Sequence, residues 1–184
     1  MKRILIIATD GFEQSELMEP KSLLEEAGAD ITVASLDDGS IKGWSDGDWG
    51  DSVDVDLTVD EVSEGDYDAL LLPGGQINPD ILRMNETVID LVKQFDGASK
   101  PIAAICHAPW LLAEADIIDG KTVTGWPSIR TDLENAGADI VDTAVAVDGN
   151  LITSRNPDDI PAFTTTLMTA LEMVDDMKRI PENA

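Results

Sequence analysis

One cysteine, one histidine and one tyrosine occur in 184 residues, and cations are scarce: 12 Lys+Arg stand against 37 Asp+Glu, a formal charge of −25. Each scarcity excludes something. A lone cysteine forms no internal disulfide, so oxidative stapling plays no part in stability. So few cations in so acidic a chain argue against a nucleic-acid backbone or an anionic membrane surface as partner, since both demand clustered Lys and Arg. Long apolar runs are also missing. The start, MKRILIIATDGF, has a basic pair and then a brief apolar stretch, too short for a secretory signal or a spanning helix. These absences predict a soluble, cytoplasmic protein. No repeat or low-complexity linker interrupts the chain, so residues 1–184 are expected to form one domain.

The acids are scattered over the whole length rather than gathered in a tail. They read as a solvated shell adapted to high salt, where screening relieves self-repulsion. The stretch DGSIKGWSDGDWGDSVDVD has Asp spacing that suggests a calcium loop but no closing Glu at the required offset, so no metal is expected. It is expected to be a surface loop with a short hairpin, with Trp44 and Trp49 packed against the domain or a partner subunit.

Hydrophobic residues make up 43% of the chain, enough for one core. Short apolar runs alternate with helical stretches. Residues 4–8, 31–36, 69–72 and 102–105 read as buried strands. A helical stretch follows the first strand through Ala27 and closes at Gly28, with a kink or restart expected at Pro20. A last helix is expected over residues 161–177. Strands separated by helices imply a parallel α/β sheet covered on both faces. Asp148-Gly149-Asn150, between alternating segments, signals an antiparallel hairpin.

The lone cysteine and the lone histidine are adjacent, in PIAAICHAPWLLAEA, where an apolar run gives way to a helical pattern. Alone, such a pair reads as a buried thiol beside a satisfied histidine. On a strand-to-helix turn it also reads as a nucleophile with a proton-handling partner. Ligands of open α/β sheets collect beyond the carboxyl ends of the strands. That edge gathers the loops 9–16, 73–80, 106–110 and 125–128. Cys106 at a helix start is expected to have a depressed thiol pKa. Gly74 and Gly75 let backbone approach closely, so an amide there and that of His107 can face an oxyanion. Glu13 can reach the same edge; a carboxyl beside a thiolate resists ionisation and can donate or shuttle a proton.

Taken together, ICHAP after an apolar strand, LLLPGG upstream, DGFEQSEL after the first strand and TSRNPDD near the end resemble the ThiJ/PfpI superfamily, and within it the PfpI-like intracellular peptidases and deglycases. The similarity runs from Arg3 to about Leu171 with the motifs in order. It implies a flavodoxin-like sandwich, the fold shared with class I glutamine amidotransferases. It also implies Cys106 as elbow nucleophile in a strained backbone, Glu13 as the carboxylic acid bonded to it, and the Gly75 and His107 amides as oxyanion hole. In the peptidase-like members the histidine partners the thiol and an acid from a neighbouring subunit orients it. The corresponding residue of PGGQINPD is Asp80, where the family often has Glu. Arg155 is expected to anchor structure near the site. No cofactor is implied, and a homodimer or larger homo-oligomer is. An amidotransferase triad is excluded, because it needs a downstream histidine and none follows His107. The resemblance leaves three functions open: a glyoxalase or deglycase acting on reactive carbonyls or glycated substrates, an intracellular cysteine peptidase acting on peptides, and a redox-sensing or chaperone-like stress protein whose Cys106 is oxidised to sulfinate.

Overall fold

The computed structural model describes residues 1–173. In chain order its principal elements are β1 (Arg3–Ile7), α1 (Gln14–Glu26), β2 (Asp30–Ser35), β3 (Ser40–Ser45), β4 (Asp48–Asp54), β5 (Leu57–Thr58), β6 (Ala69–Leu72), α2 (Ile77–Leu82), α3 (Glu86–Gly97), β7 (Ile102–Ile105), α4 (Pro109–Glu114), α5 (Arg130–Asn135), β8 (Ala146–Asp148), β9 (Leu151–Ser154) and α6 (Ile160–Ala170). Seven strands form one sheet in the order β8-β9-β7-β6-β1-β2-β5. All its pairings are parallel except β8 with β9, which turn on Gly149-Asn150 as an antiparallel hairpin.

The strands explain why both sheet faces are covered. Side chains alternate along a strand, so a run that is apolar at every position needs a core on each side. In β1, Ile4 and Ile6 join Leu17 and Leu24 of α1 and Phe163 and Leu167 of α6 on one face. Leu5 and Ile7 meet Val92 and Phe95 of α3 and Leu111 and Leu112 of α4 on the other. This is the expected parallel sandwich. Parallel order also brings the carboxyl ends of β1, β6, β7 and β9 to one edge of the sheet.

Two local expectations are corrected and a third is sharpened. Helix α1 runs without a restart through Pro20, which is buried. The proline forgoes one helical hydrogen bond, while Leu17 and Leu24 on either side of it hold the helix to the core. The Asp/Gly-rich stretch forms the expected hairpin with less loop than expected: β3 and β4 pair antiparallel with Trp44 opposite Trp49 in an edge-to-face pair at 5.3 Å. Such aromatic cross-strand pairs stabilise a hairpin whose alternate positions face solvent. Phe12 and Glu13 add to it in parallel, beside Gly43 and Trp44. Lastly, α6 begins as expected but ends at Ala170, and the expected helical residues 174–177 lie outside the described residues.

Candidate active site

Cys106 follows the last residue of β7, and its φ of +65° lies in the left-handed region that side chains avoid. The conformation is fixed from both sides. Its amide donates to the Ser154 carbonyl of the neighbouring strand (3.0 Å), and its carbonyl accepts from the Trp126 amide (2.8 Å). A backbone held in this way by its surroundings can retain about 1–3 kcal/mol of strain. The elbow turns Sγ toward the loop after β6, within the influence of the Gly75 amide there and of the His107 amide next in the chain.

The carboxyl group against the sulfur is Glu16, not Glu13. Glu16 is fully buried, interacts with the Cys106 thiol, and accepts the Gly74 amide on Oε2 at 2.8 Å. Its other oxygen, Oε1, is buried with no hydrogen-bond partner. Glu13 sits one residue before α1 in extended backbone, paired beside Trp44, and its half-buried side chain lines the rim. The separation is one of helical geometry. Residues 16, 17, 20 and 24 make the buried stripe of α1, whereas residue 13 precedes the helix and escapes its periodicity. A glutamate on an otherwise apolar stripe is the signal in the sequence that marks it.

Burial also corrects the expected thiol. Cys106 is 6% exposed, and desolvation, reinforced by the Glu16 carboxylate, pushes its pKa up, an effect only partly offset by the two amides. Desolvation likewise pushes Glu16 up to about 8, against the lowering donated by the Gly74 amide. Two anions in contact in a buried site repel strongly, so the pair titrates together and does not lose both protons in the neutral range. At the rim, Glu13 is raised by partial burial and then by the charge of Asp46.

Raising a carboxyl pKa ties stability to pH in a definite direction. Between the ordinary 4.5 and about 8 the folded protein holds a proton on Glu16 that the unfolded chain has released. Stability from this group is therefore complete below 4.5 and is lost as pH rises through 8. Denaturant titrations should show wild type losing stability across that window relative to Glu16→Gln, a tenfold difference in proton affinity between folded and unfolded states being worth about 1.4 kcal/mol. Parallel curves for the two proteins would mean that Glu16 ionises normally.

His107 is 8% exposed, with Nδ1 3.2 Å from Sγ. Its ring stacks on Trp126 (5.8 Å, 21° between planes) and meets the edge of Trp110 at 5.3 Å. Burial lowers its pKa, so the ring is neutral near pH 7 and can accept a proton. No carboxylate orients it among the described residues. Asp80 is exposed on α2 and has no hydrogen bond to His107 within the chain.

These groups line an open pocket of about 330 Å³ bounded by Glu13, Glu16, Gly75, Cys106, His107 and Trp126, with Trp44, Gln76 and Pro157. Sequence reasoning misses Trp44 and Pro157. Trp44 arrives from the expected hairpin, whose place beside the pocket is set by its pairing with Phe12 and Glu13. Pro157 is placed by Arg155, which grips the buried Asp159 carboxylate through Nε and Nη2 (2.9 Å each) and reaches Asp142 at 3.1 Å. Arg155 is thus a structural anchor. The arrangement brings together a nucleophilic sulfur, a protonated acid, a neutral imidazole and two convergent amides.

General stress protein 18 of Bacillus subtilis is 44% identical over 172 residues, covering 93% of this chain and 98% of that protein. The putative cysteine protease YraA of the same organism is 40% identical over 171 residues (93% and 99%). Protein/nucleic acid deglycase 2 of Escherichia coli is 39% identical over 171 residues (92% and 98%). Among solved structures, a two-domain protein of Anabaena variabilis with DJ-1/ThiJ/PfpI-like and ferritin-like domains superposes with a TM-score of 0.90 at 35% identity. That match covers all of this chain but only 52% of the Anabaena protein, about half its length. The DJ-1/PfpI family profile matches residues 2–170, and this chain belongs to the DJ-1/PfpI family.

Proposed function

We propose that this protein is a cofactor-independent, cysteine-dependent enzyme acting on reactive carbonyls, as a glyoxalase on methylglyoxal or as a deglycase on its early adducts. The observation that carries this reading is the buried pair of Glu16 and Cys106 beneath two amides that converge on the sulfur. The sulfur adds to the aldehyde carbon, forming a C–S bond as its S–H proton passes to neutral His107, 3.2 Å away, while Glu16 delivers its proton toward the new oxyanion held by the Gly75 and His107 amides. A proton then leaves the former aldehyde carbon and one is delivered to the adjacent ketone carbon, with Glu16 and His107 as carriers. The first carbon is oxidised as the second is reduced, so no external oxidant enters. Water cleaves the resulting thioester to release lactate and restore the thiol. With an amine adduct as substrate, the amine leaves as well. The deglycase name of the Escherichia coli relative supports this reading.

The second reading, a PfpI-type peptidase, rests on the 3.2 Å contact between Nδ1 of His107 and Sγ and on the name of the YraA relative. It requires a carboxylate on His107, which Asp80 of a neighbouring subunit would supply in a homo-oligomer. Steady-state turnover of methylglyoxal against casein, with Cys106→Ser as control, decides between the two. Carbonyl turnover with no proteolysis is expected, and Asp80→Asn should lower it only a few-fold. Proteolysis that disappears in Asp80→Asn or on dilution to monomers would overturn the carbonyl reading. Absence of both activities in the wild type would leave only the non-enzymatic stress-protein reading.

We read residues 1–184 as one cytoplasmic domain. Among the described residues no helix is long and apolar enough to cross a membrane. The acidic surface disfavours tracking along a phosphate backbone but does not bear on a glycated nucleotide as a small substrate, so such adducts belong in the assay. The charge of −25 is read as salt adaptation. The melting temperature should rise as added salt shortens the Debye length from about 10 Å at 0.1 M to about 3 Å at 1 M. A flat response would remove that explanation.

A further inference from the structure

The Gly75 amide faces the sulfur, yet nothing in a Gly-Gly sequence fixes the orientation of the peptide that carries it. The Gly74–Gly75 unit can rotate between two nearly opposite orientations at little steric cost, because neither residue has a Cβ. Its orientation must be imposed from outside, and the loop shows by what. A trans peptide is planar, with its N–H antiparallel to its C=O, and no cis bond occurs among the described residues. Whatever holds the Gly74 carbonyl therefore aims the Gly75 N–H in the opposite direction.

Two donors hold that carbonyl: the Glu13 amide (3.2 Å) and Nδ2 of Asn78 (3.2 Å). Asn78 does more. It is fully buried at the start of α2, its Nδ2 also donates to the Pro73 carbonyl (2.9 Å), and its Oδ1 accepts from the Thr9 amide beyond β1 (2.8 Å). One side chain thus ties the end of β1 to two successive carbonyls of the loop after β6. Only a carboxamide suits these partners, because the Thr9 amide requires an acceptor and the two carbonyls require donors. The same network fixes which end of the amide is nitrogen.

We propose that Asn78 is a positioning residue that locks the Gly74–Gly75 peptide with its N–H toward Cys106 Sγ, keeping the oxyanion donor preorganised. Asn78 touches neither the sulfur nor the pocket and acts through Gly75. Its catalytic consequence rests on the carbonyl chemistry above; its effect on the thiol does not.

Asn78→Asp tests this with nearly unchanged shape. The carboxylate retains an acceptor for Thr9 and presents an oxygen to the two carbonyls, so the lock is lost or reversed. The Gly75 amide lowers the thiol pKa, so losing it must raise that pKa. The pH profile of Cys106 alkylation by iodoacetamide should accordingly move to higher pH. In methylglyoxal turnover kcat should fall by about 10²- to 10³-fold with KM within a few-fold, as for a lost oxyanion donor.

A spectroscopic reporter exists because Gly74–Gly75 is the sole Gly-Gly pair in the sequence. Glycine labelled with 13C at the carbonyl and with 15N gives a single carbonyl–nitrogen correlation, that of this peptide. In the wild type the peak should shift when Cys106 is alkylated, and in Asn78→Asp it should not respond. Should that variant fail to fold, Asn78→Ser, which keeps a neutral donor but cannot span all three partners, carries the same comparison. A wild-type peak indifferent to alkylation would overturn the proposal. So would a variant with a lower melting temperature but unchanged alkylation profile and kcat, since Asn78 would then be structural only. If methylglyoxal is not turned over at all, the proposed function fails, while the alkylation and NMR results still decide the role of Asn78.

Discussion

Glu16→Gln should lower carbonyl turnover by about 10²- to 10⁴-fold, the range for loss of a general acid-base group, and at the same time make Cys106 easier to ionise. The two effects point in opposite directions, which makes the result diagnostic. In the wild type the Glu16 carboxylate raises the thiol pKa through its charge close to the sulfur. A glutamine keeps the shape, can still accept the Gly74 amide held at 2.8 Å by Oε2, and turns an N–H toward the sulfur. The thiol pKa should fall, and alkylation near pH 7 should accelerate. Turnover should collapse all the same, because the amide cannot deliver a proton to the oxyanion. Glu13→Gln is the companion variant. It removes a rim charge that raises Glu16, so it should lower the pKa of Glu16 and leave most of the turnover. Slower alkylation in Glu16→Gln, or equal losses in the two variants, would return the acid role to Glu13 or share it between them.

Replacing Gly75 by alanine should be the most damaging of the glycine substitutions around the site. Gly75 has φ of +84°, and a Cβ there would lie 2.6 Å from the Gly11 carbonyl oxygen and 2.7 Å from the Glu13 amide nitrogen. Both obstacles are backbone and cannot swing aside. Gly28, at the end of α1, provides the reference: its φ is +91° and a Cβ would meet nothing within 4 Å. Gly28→Ala therefore reports the conformational cost alone, about 1–2 kcal/mol. Gly75→Ala should cost at least about 2 kcal/mol more, on the scale of an overpacked core, and should abolish turnover even where the protein still folds, because the displaced loop carries the oxyanion amide. Gly74→Ala separates the two contributions. Its φ is ordinary, but a Cβ would fall 2.5 Å from Glu16 Oε2, 2.6 Å from the Ile105 carbonyl oxygen and 2.7 Å from Cys106 Cβ, so its damage should fall on the thiol–acid pair and the end of β7 rather than on the Gly75 turn. Denaturant unfolding of the three variants gives the ranking. Equal costs for Gly28→Ala and Gly75→Ala would show that the loop relaxes freely and is no rigid cradle.

The architecture was legible because its signals are local. An all-apolar run such as residues 4–7 needs cover on both faces, Gly28 stops a helix by its backbone freedom, and a short turn at Gly149-Asn150 makes a hairpin wherever it occurs. The adjacency of Cys106 and His107 at the end of such a run located the site for the same reason. What failed depended on partners distant in sequence. Pro20 stays helical because the core holds Leu17 and Leu24 on either side of it. The hairpin of the Asp/Gly-rich stretch was expected, but that it carries Trp44 to the pocket depends on its pairing with Phe12 and Glu13. The choice of Glu16 over Glu13 turns on where α1 begins, since a shift of three residues along a helix decides whether a carboxyl faces the core or the rim. A helix start alone predicts a depressed thiol pKa, through a favourable field of modest size. The tertiary structure adds burial and a neighbouring carboxyl, both of which act on the charged form over a few ångströms in a medium that screens poorly, and these prevail. The chain's own residues determine which elements form and in what order. Which side chains become neighbours at the sheet edge, and how strongly their charges then interact, only the packed fold decides, because desolvation and close approach do not exist until distant segments meet.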